Sequence, residues 1–329
     1  MGAGPNRGTR IATIALIATL AAAPGPAAAQ QYPTRPITLV VPFPPGGSAT
    51  IIARIIADKL GDALGQQIVV DNRGGAGGSI AARQVAKSAP DGYTILLAFT
   101  GTLAVSPTIF PNVGYDPRKD FSGIGLIGMA PSVFAVHPSV PAQSVADLIK
   151  IAKASPGKIQ YGSPGIGTTN HLAGELLASM AGIRIAHIPY KGTGPAVNDL
   201  LGGHISMMFV PIPAAHGNVS AGTLRALGVT SLRRSRLLPD IPTVAESGLP
   251  GFEVVQRSTL VAPAGTPRMI VERLNKELNA VLATDEVRKR LALEGAEPIP
   301  GPPEEYAADI DREETRWSKL VNAIGLKGE

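Results

Sequence analysis

Short runs of β-branched and apolar residues stop repeatedly along this chain at glycine-rich turns that open directly into helix-patterned segments. Ile37-Thr38-Leu39-Val40-Val41 reads as a buried strand, and Pro42-Phe43-Pro44-Pro45-Gly46-Gly47-Ser48 as the turn that ends it. Ile51, Ile52, Ile55, Ile56, Leu60 and Leu64 then share one helix face, with Arg54, Asp58, Lys59 and Asp62 opposite. A strand at 67–70, a glycine turn at 74–78, a helix at 79–88 and a strand at 94–99 follow. Such alternation implies a parallel α/β sheet. The pattern recurs, with strands at 132–137, 160–162, 185–188, 205–210 and 224–230 and helices at 144–154, 170–181 and 195–202. A strand at 259–262 and helices at 267–283 and 303–323 give the chain enough extra helix to return to the first unit. On the last helix Tyr306, Ile310, Trp317, Leu320 and Val321 form the buried side, which makes Trp317 a packing residue. The expected architecture is α/β and two-lobed, with a hinge. Residues 30–128 and 229–329 form one lobe, residues 129–228 the other, and a ligand cleft lies between them.

The N-terminus reads as a targeting segment. Arg7 and Arg10 precede an apolar stretch, Ile11 to Ala23, and small residues end at Ala27-Ala28-Ala29. A basic start, a short apolar middle and an Ala-x-Ala end describe a secretory signal peptide at 1–29, of bacterial, periplasmic style. The stretch falls short of the roughly 20 residues a spanning helix needs. No membrane insertion is expected once the signal is removed.

Composition narrows the function further. With no cysteine, the chain has neither a disulfide scaffold nor a thiolate metal site. The net charge is +5, but the basic residues are scattered and aromatics make up only 4%, too few for base-stacking platforms. Nucleic acid is therefore not an expected partner. His137, His187, His204 and His216 show no metal-ligand spacing, and neither a His-Glu-x-x-His motif nor a Gly-x-Ser-x-Gly elbow is present. No cofactor or metal is expected, and the enzyme reading is disfavoured because no nucleophile–base set is visible.

Two turns stand out as candidate sites. After the first strand, Gly46 and Gly47 free the backbone to turn, and Ser48 and Thr50 add hydroxyls at a helix start. Unpartnered N–H groups and the dipole suit such a start to an anion, although the same residues also describe a capped tight turn. Tyr161-Gly162-Ser163-Pro164-Gly165-Ile166-Gly167-Thr168-Thr169-Asn170-His171 repeats this physics; it is neither a Walker loop nor a dinucleotide fingerprint. His171 falls in the first helical turn, where it either meets a ligand or packs inward. Thr100 and Thr102 add hydroxyls after another strand, and Lys191 follows a further one, either steering an anion or lying solvated.

The chain resembles the periplasmic solute receptors of tripartite tricarboxylate transporters, the Bug family. The resemblance covers residues 30–329 and rests on Tyr32-Pro33-Thr34-Arg35-Pro36-Ile37, Val41-Pro42-Phe43-Pro44-Pro45-Gly46-Gly47, Val70-Asp71-Asn72-Arg73-Gly74-Gly75-Ala76-Gly77-Gly78, Pro90-Asp91-Gly92-Tyr93-Thr94, His187-Ile188-Pro189-Tyr190-Lys191-Gly192 and Val261-Ala262-Pro263-Ala264-Gly265-Thr266-Pro267. It implies a Venus-flytrap fold, type II-like. It also implies a ligand carboxylate held by the two turns, through Phe43, Pro45, Gly46, Gly47 and Ser48 on one side and Ser163, Gly165, Gly167, Thr168 and Thr169 on the other. Three departures bear on the ligand. Thr50 and Val210 stand where the family usually has Asp, Val210 thereby arguing against an amino acid, and Arg257 stands where it usually has Trp. If Arg257 faces the cleft, it can hold a second carboxylate bidentately. The expected function is capture of a small organic carboxylate by a monomer and delivery to a membrane permease. A ligand sensor docking on a periplasmic histidine-kinase domain is the alternative, and an enzyme acting on an organic acid a weaker one.

Overall fold

The computed structural model describes residues 1–2, 32–110 and 112–327. The expected signal segment falls almost wholly outside them. In chain order the elements are β1 (Ile37–Val41), α1 (Ser48–Leu64), β2 (Ile68–Asn72), α2 (Ser79–Ala86), β3 (Thr94–Phe99), α3 (Ser106–Ile109), β4 (Phe121–Val136), α4 (Val145–Ala154), β5 (Gln160–Ser163) and α5 (Thr169–Ala181). They continue with β6 (Ala186–Pro189), α6 (Thr193–Leu201), β7 (Met207–Pro211), α7 (Ile212–Ser220), β8 (Arg225–Val229), β9 (Val255–Pro263), α8 (Arg268–Ala283), α9 (Asp285–Leu293), β10 (Glu297–Pro298) and α10 (Glu305–Ile324). The strands run in the order β2-β1-β3-β9-β4-β7-β5-β6, with β8 and β10 also paired to β4. The β2-β1-β3 and β7-β5-β6 groups are parallel, as the strand–helix alternation predicts, whereas β9 and β4 join them antiparallel.

Strand β4 holds the two groups together. Its first part pairs with β9 up to Pro131, and Ser132 to Val136 pair with β7. The sequence pattern predicts only the second part, because Gly123, Gly125, Gly128 and Pro131 look like turn residues. Here glycine marks close approach instead. A Cβ on Gly123 would lie 2.3 Å from the Cβ of Tyr306, and one on Gly128 would lie 2.6 Å from the Glu297 carbonyl oxygen.

Each sheet half is packed on both faces. Ile37, Leu39 and Val41 bury against α1, α8 and α9 through Ile52, Ile56, Leu274 and Leu291, while Val40, Leu96 and Val261 face Ala81, Val85, Tyr306 and Ile310. Phe134, Tyr161 and Phe209 pack with Leu172 and Leu177 of α5, and Val133, Met208 and Val210 with Ala196 and Leu200 of α6. Each such side chain is worth roughly 1.5–3 kcal/mol of burial, the stabilisation a cysteine-free chain must rely on. Ile51, placed on the apolar face by its spacing, is 42% exposed.

Helix α10 belongs to both cores. Tyr306 and Ile310 pack in the first half, whereas Trp317, Leu320 and Val321 join Phe134 and Tyr161 in the second, together with Val244, Leu249, Phe252 and Val254. Assigning all of 229–329 to one lobe therefore does not follow the packing. Trp317 is fully buried, with its indole N–H donating to Glu313 Oε2 at 3.0 Å.

Candidate functional site

A cavity of about 280 Å3 opens where four helices begin. Gly47, Ser48 and Ala49 line it from the start of α1, Thr168 and Asn170 from α5, Gly192 to Pro195 from α6, and Pro211 and Ile212 from α7. The first N–H groups of a helix have no acceptor within it, and each start carries roughly half a positive charge. Four starts around one cavity, one from the first half and three from the second, favour an anion far more than one does. A second cavity, of about 690 Å3, shares Phe43, Pro44, Pro45, Pro164, Lys191 and Gly192 with the first and extends along Gly74 to Gly78. Turning a strand end this sharply into a helix requires glycine at Gly46 (φ +95) and Gly165 (φ +150), both in the region side chains avoid.

The residues expected at the site divide into two groups. Phe43, Pro45, Gly46, Gly47, Ser48, Thr168 and Lys191 line the first cavity, and Phe43, Pro45, Gly165 and Lys191 the second. The others lie behind these walls. Thr50 is buried, and its Oγ1 accepts from Asn72 Nδ2 at 2.8 Å. Thr100 Oγ1 accepts the Arg257 N–H at 3.1 Å, Thr102 donates to the Gly77 carbonyl at 3.1 Å, and Thr169 donates to Gln256 Oε1 at 3.2 Å. Val210 is fully buried in the core against α6, so its lack of charge says nothing about a ligand amine.

Arg257 does not face the cavity. Its Nε lies 3.4 Å from Asp309 Oδ1 and 3.4 Å from Glu313 Oε1, two buried carboxylates of α10. Strand alternation explains the difference, since neighbouring residues of β9 point to opposite faces. Gln256, one position earlier, is the residue on the cavity wall.

Ser163, Gly167 and His171 form a fastening beneath the second turn. Ser163 Oγ is 2.7 Å from His187 Nε2, donates to the Gly165 carbonyl at 3.0 Å and accepts the Gly165 N–H at 3.2 Å. His171 Nδ1 accepts the Gly167 N–H at 3.1 Å. The two imidazoles stack at 3.9 Å between centroids. Burial pushes His171 down to about 3, helped by its stacked neighbour, and His187 down to about 4. Both rings are therefore neutral at neutral pH. Ser163 has no exposed surface, and the pair holds a turn in shape rather than presenting a nucleophile.

Three wall residues, Ser132, Gln256 and Glu294, carry no recognisable site pattern in the sequence. Asn170 was visible as a helix start but not as a link; its Nδ2 donates to the Phe209 carbonyl at 2.6 Å and to Ser132 Oγ at 3.3 Å. Glu294 arrives from the end of α9, and only the tertiary fold brings it here. Among the described residues no cluster of His, Asp and Glu is arranged to hold a metal ion.

Comparison with known proteins agrees with this geometry. A family model described as "Tripartite tricarboxylate transporter family receptor" matches residues 52–326. The protein BugT of Bordetella pertussis is 39% identical over 318 residues, covering 96% of this chain and 98% of its own length. Among solved structures, R. palustris Rpa4515 with adipate is 40% identical with a TM-score of 0.86, covering 90% of this chain and 99% of that one. MatC from Rhodopseudomonas palustris with bound malate is 32% identical with a TM-score of 0.81, covering 88% and 100%. The periplasmic binding protein BugD is 37% identical with a TM-score of 0.83, covering 91% and 100%.

Proposed function

The chain belongs to the tripartite tricarboxylate transporter receptor family, and from that premise we propose that it captures a small organic carboxylate in the periplasm and delivers it to the permease of such a transporter. The observation that carries this reading is the convergence of four helix starts on one cavity of about 280 Å3. The ligand carboxylate accepts the N–H groups of Ser48, Ala49, Thr193 and Gly194, while the Thr168 hydroxyl donates to the Gly165 carbonyl at 2.8 Å and so holds the second turn in place. Lys191, exposed at the rim of both cavities, draws the anion in. Closing the two walls over the ligand removes water and strengthens each of these bonds. Capture and release complete the task without covalent chemistry. The R. palustris structures with adipate and with bound malate support a carboxylate as the class of ligand.

Calorimetric titration of the purified protein with mono-, di- and tricarboxylates tests the reading. Saturable binding of at least one acid is expected. Heat from none of them, combined with no acid retained in native mass spectra, overturns it.

A further inference from the structure

Two side chains of the cavity wall carry hydrogen-bond donors that the protein does not use. Gln256 in β9 and Ser132 in β4 both line the cavity, and they come close because β9 pairs with β4, Gln256 lying opposite Ala130. A neighbour from α5 fixes each. Thr169 is buried, and Gln256 Oε1, at 3.2 Å, is the one acceptor its hydroxyl reaches among the described residues. The carboxamide is therefore turned with its oxygen toward α5, and its Nε2, with two hydrogens to donate, has no partner among the described residues. Ser132 Oγ accepts from Asn170 Nδ2 at 3.3 Å, which leaves the proton of the serine hydroxyl free to be given elsewhere. Asn170 cannot turn over, since its Nδ2 also donates to the Phe209 carbonyl at 2.6 Å. These two donors sit on strands, apart from the α1 and α6 starts that receive the captured carboxylate. A donor left unpaired in a cavity closed to water is costly, so a ligand that fills both is favoured over one that fills neither.

We infer that Gln256 and Ser132 are a specificity-determining pair that donates to a second oxygen acceptor on the ligand, a further carboxylate or a keto oxygen, and that Thr169 is the positioning residue that sets which face of the Gln256 amide the ligand meets. This rests on the carboxylate-capture reading above. An acid with an apolar end gives the pair no acceptor, and one ending in an ammonium sets donors against donors.

The test uses acids matched in length: adipate, hexanoate and 6-aminohexanoate, with succinate, butanoate and 4-aminobutanoate beside them. Each is titrated calorimetrically into the full protein and into Gln256→Met, Ser132→Ala, Thr169→Val and Thr169→Ser. In the wild type the diacid of at least one series is expected to bind about tenfold or more tighter than its plain monoacid, with the ammonium-ended acid weakest. Gln256→Met should lower that ratio to about threefold or less by weakening the diacid alone, and Ser132→Ala should lower it in part. Thr169→Val should act in the same direction, because the amide is then free to turn over, and Thr169→Ser, which keeps the hydroxyl, should restore the wild-type ratio. Structural damage would weaken every acid together and leave the ratio unmoved. A wild type without preference for either diacid overturns the inference, and so does a Gln256→Met protein, folded by its urea midpoint, in which monoacid and diacid weaken by the same factor. If Gln256→Met does not fold, Gln256→Glu decides: it keeps an oxygen for Thr169 but puts an acceptor in place of the donor, and must move the preference from the diacid toward the ammonium-ended acid. Carboxylate binding that ignores Gln256 removes this inference and leaves carboxylate capture standing; binding of no organic acid at all removes both.

Discussion

Gly101 and Gly167 touch across the two halves of the molecule: a Cβ built on Gly101 would stand 2.6 Å from the Gly167 carbonyl oxygen and 3.2 Å from Thr168 Cα. Both neighbours are backbone, so neither can swing aside. Gly101→Ala is expected to force apart the turn after β3 and the turn before α5. Overpacking of this kind costs about 1–3 kcal/mol. Urea unfolding reads the loss, and calorimetry should show weaker carboxylate binding, because Thr168 moves with the turn. An unchanged midpoint and affinity would mean that the contact relaxes freely.

Arg257 is expected to be a stability residue. Replacing it with Met takes their shared cation from Asp309 and Glu313; Asp309 keeps Arg312 and Glu313 keeps the Trp317 N–H, so the loss stays below the about 3–5 kcal/mol of stranding a buried charge outright. Adding Glu313→Gln to Arg257→Met should restore part of the loss. Ligand ranking in the folded fraction should not change, which separates this role from direct carboxylate binding.

The stacked imidazoles make stability depend on pH with a definite sign. Folded His171 and His187 are held down to about 3 and about 4, whereas in the unfolded chain each titrates near its ordinary value of about 6.5. Between these limits the unfolded state binds more protons. Their contribution is therefore complete above about pH 6.5 and declines as pH falls toward the folded values. Urea midpoints measured from pH 7.5 to 4 should fall for the wild type and fall less steeply for the His171→Gln/His187→Gln double variant. Parallel profiles would show that other groups control acid sensitivity.

Lys191 is exposed at the cavity rim and should act by attraction at a distance. Lys191→Ala is expected to weaken carboxylate binding by about 0.5–1 kcal/mol, some two- to fivefold, mostly through the association rate. Stopped-flow measurements at increasing salt should show the wild type approaching the variant.

Much of the fold was legible because parallel strands and their helices advertise themselves. Ile37 to Val41 is an uninterrupted buried run, and Ser144 caps α4 by accepting the Asp147 N–H at 3.1 Å, as its residue type suggests. The first part of β4 was not legible, since glycines needed for close approach look like turn residues until Tyr306 and Glu297 are seen against them. At the site, the glycine turns with Ser48, Thr168 and Lys191 could be read locally, because a strand end followed by a helix start is a short-range pattern. Arg257 was placed one strand position away from the residue that reaches the cavity. Glu294 could not be found at all, since nothing near it in the chain distinguishes it from a solvated helix end.

The four helix starts have a practical consequence for mutagenesis. Their pull on a negative ligand resides in peptide groups, which every residue except proline supplies. Alanine scanning will therefore be nearly blind to the strongest part of this site and will register mainly Lys191, Thr168 and Gln256 at its margins. Conversely, the attraction neither titrates nor can be acetylated away. It is lost only when a backbone N–H is removed or redirected, so proline at Thr193 or an ester in place of the Ala49 peptide is the substitution that reaches it.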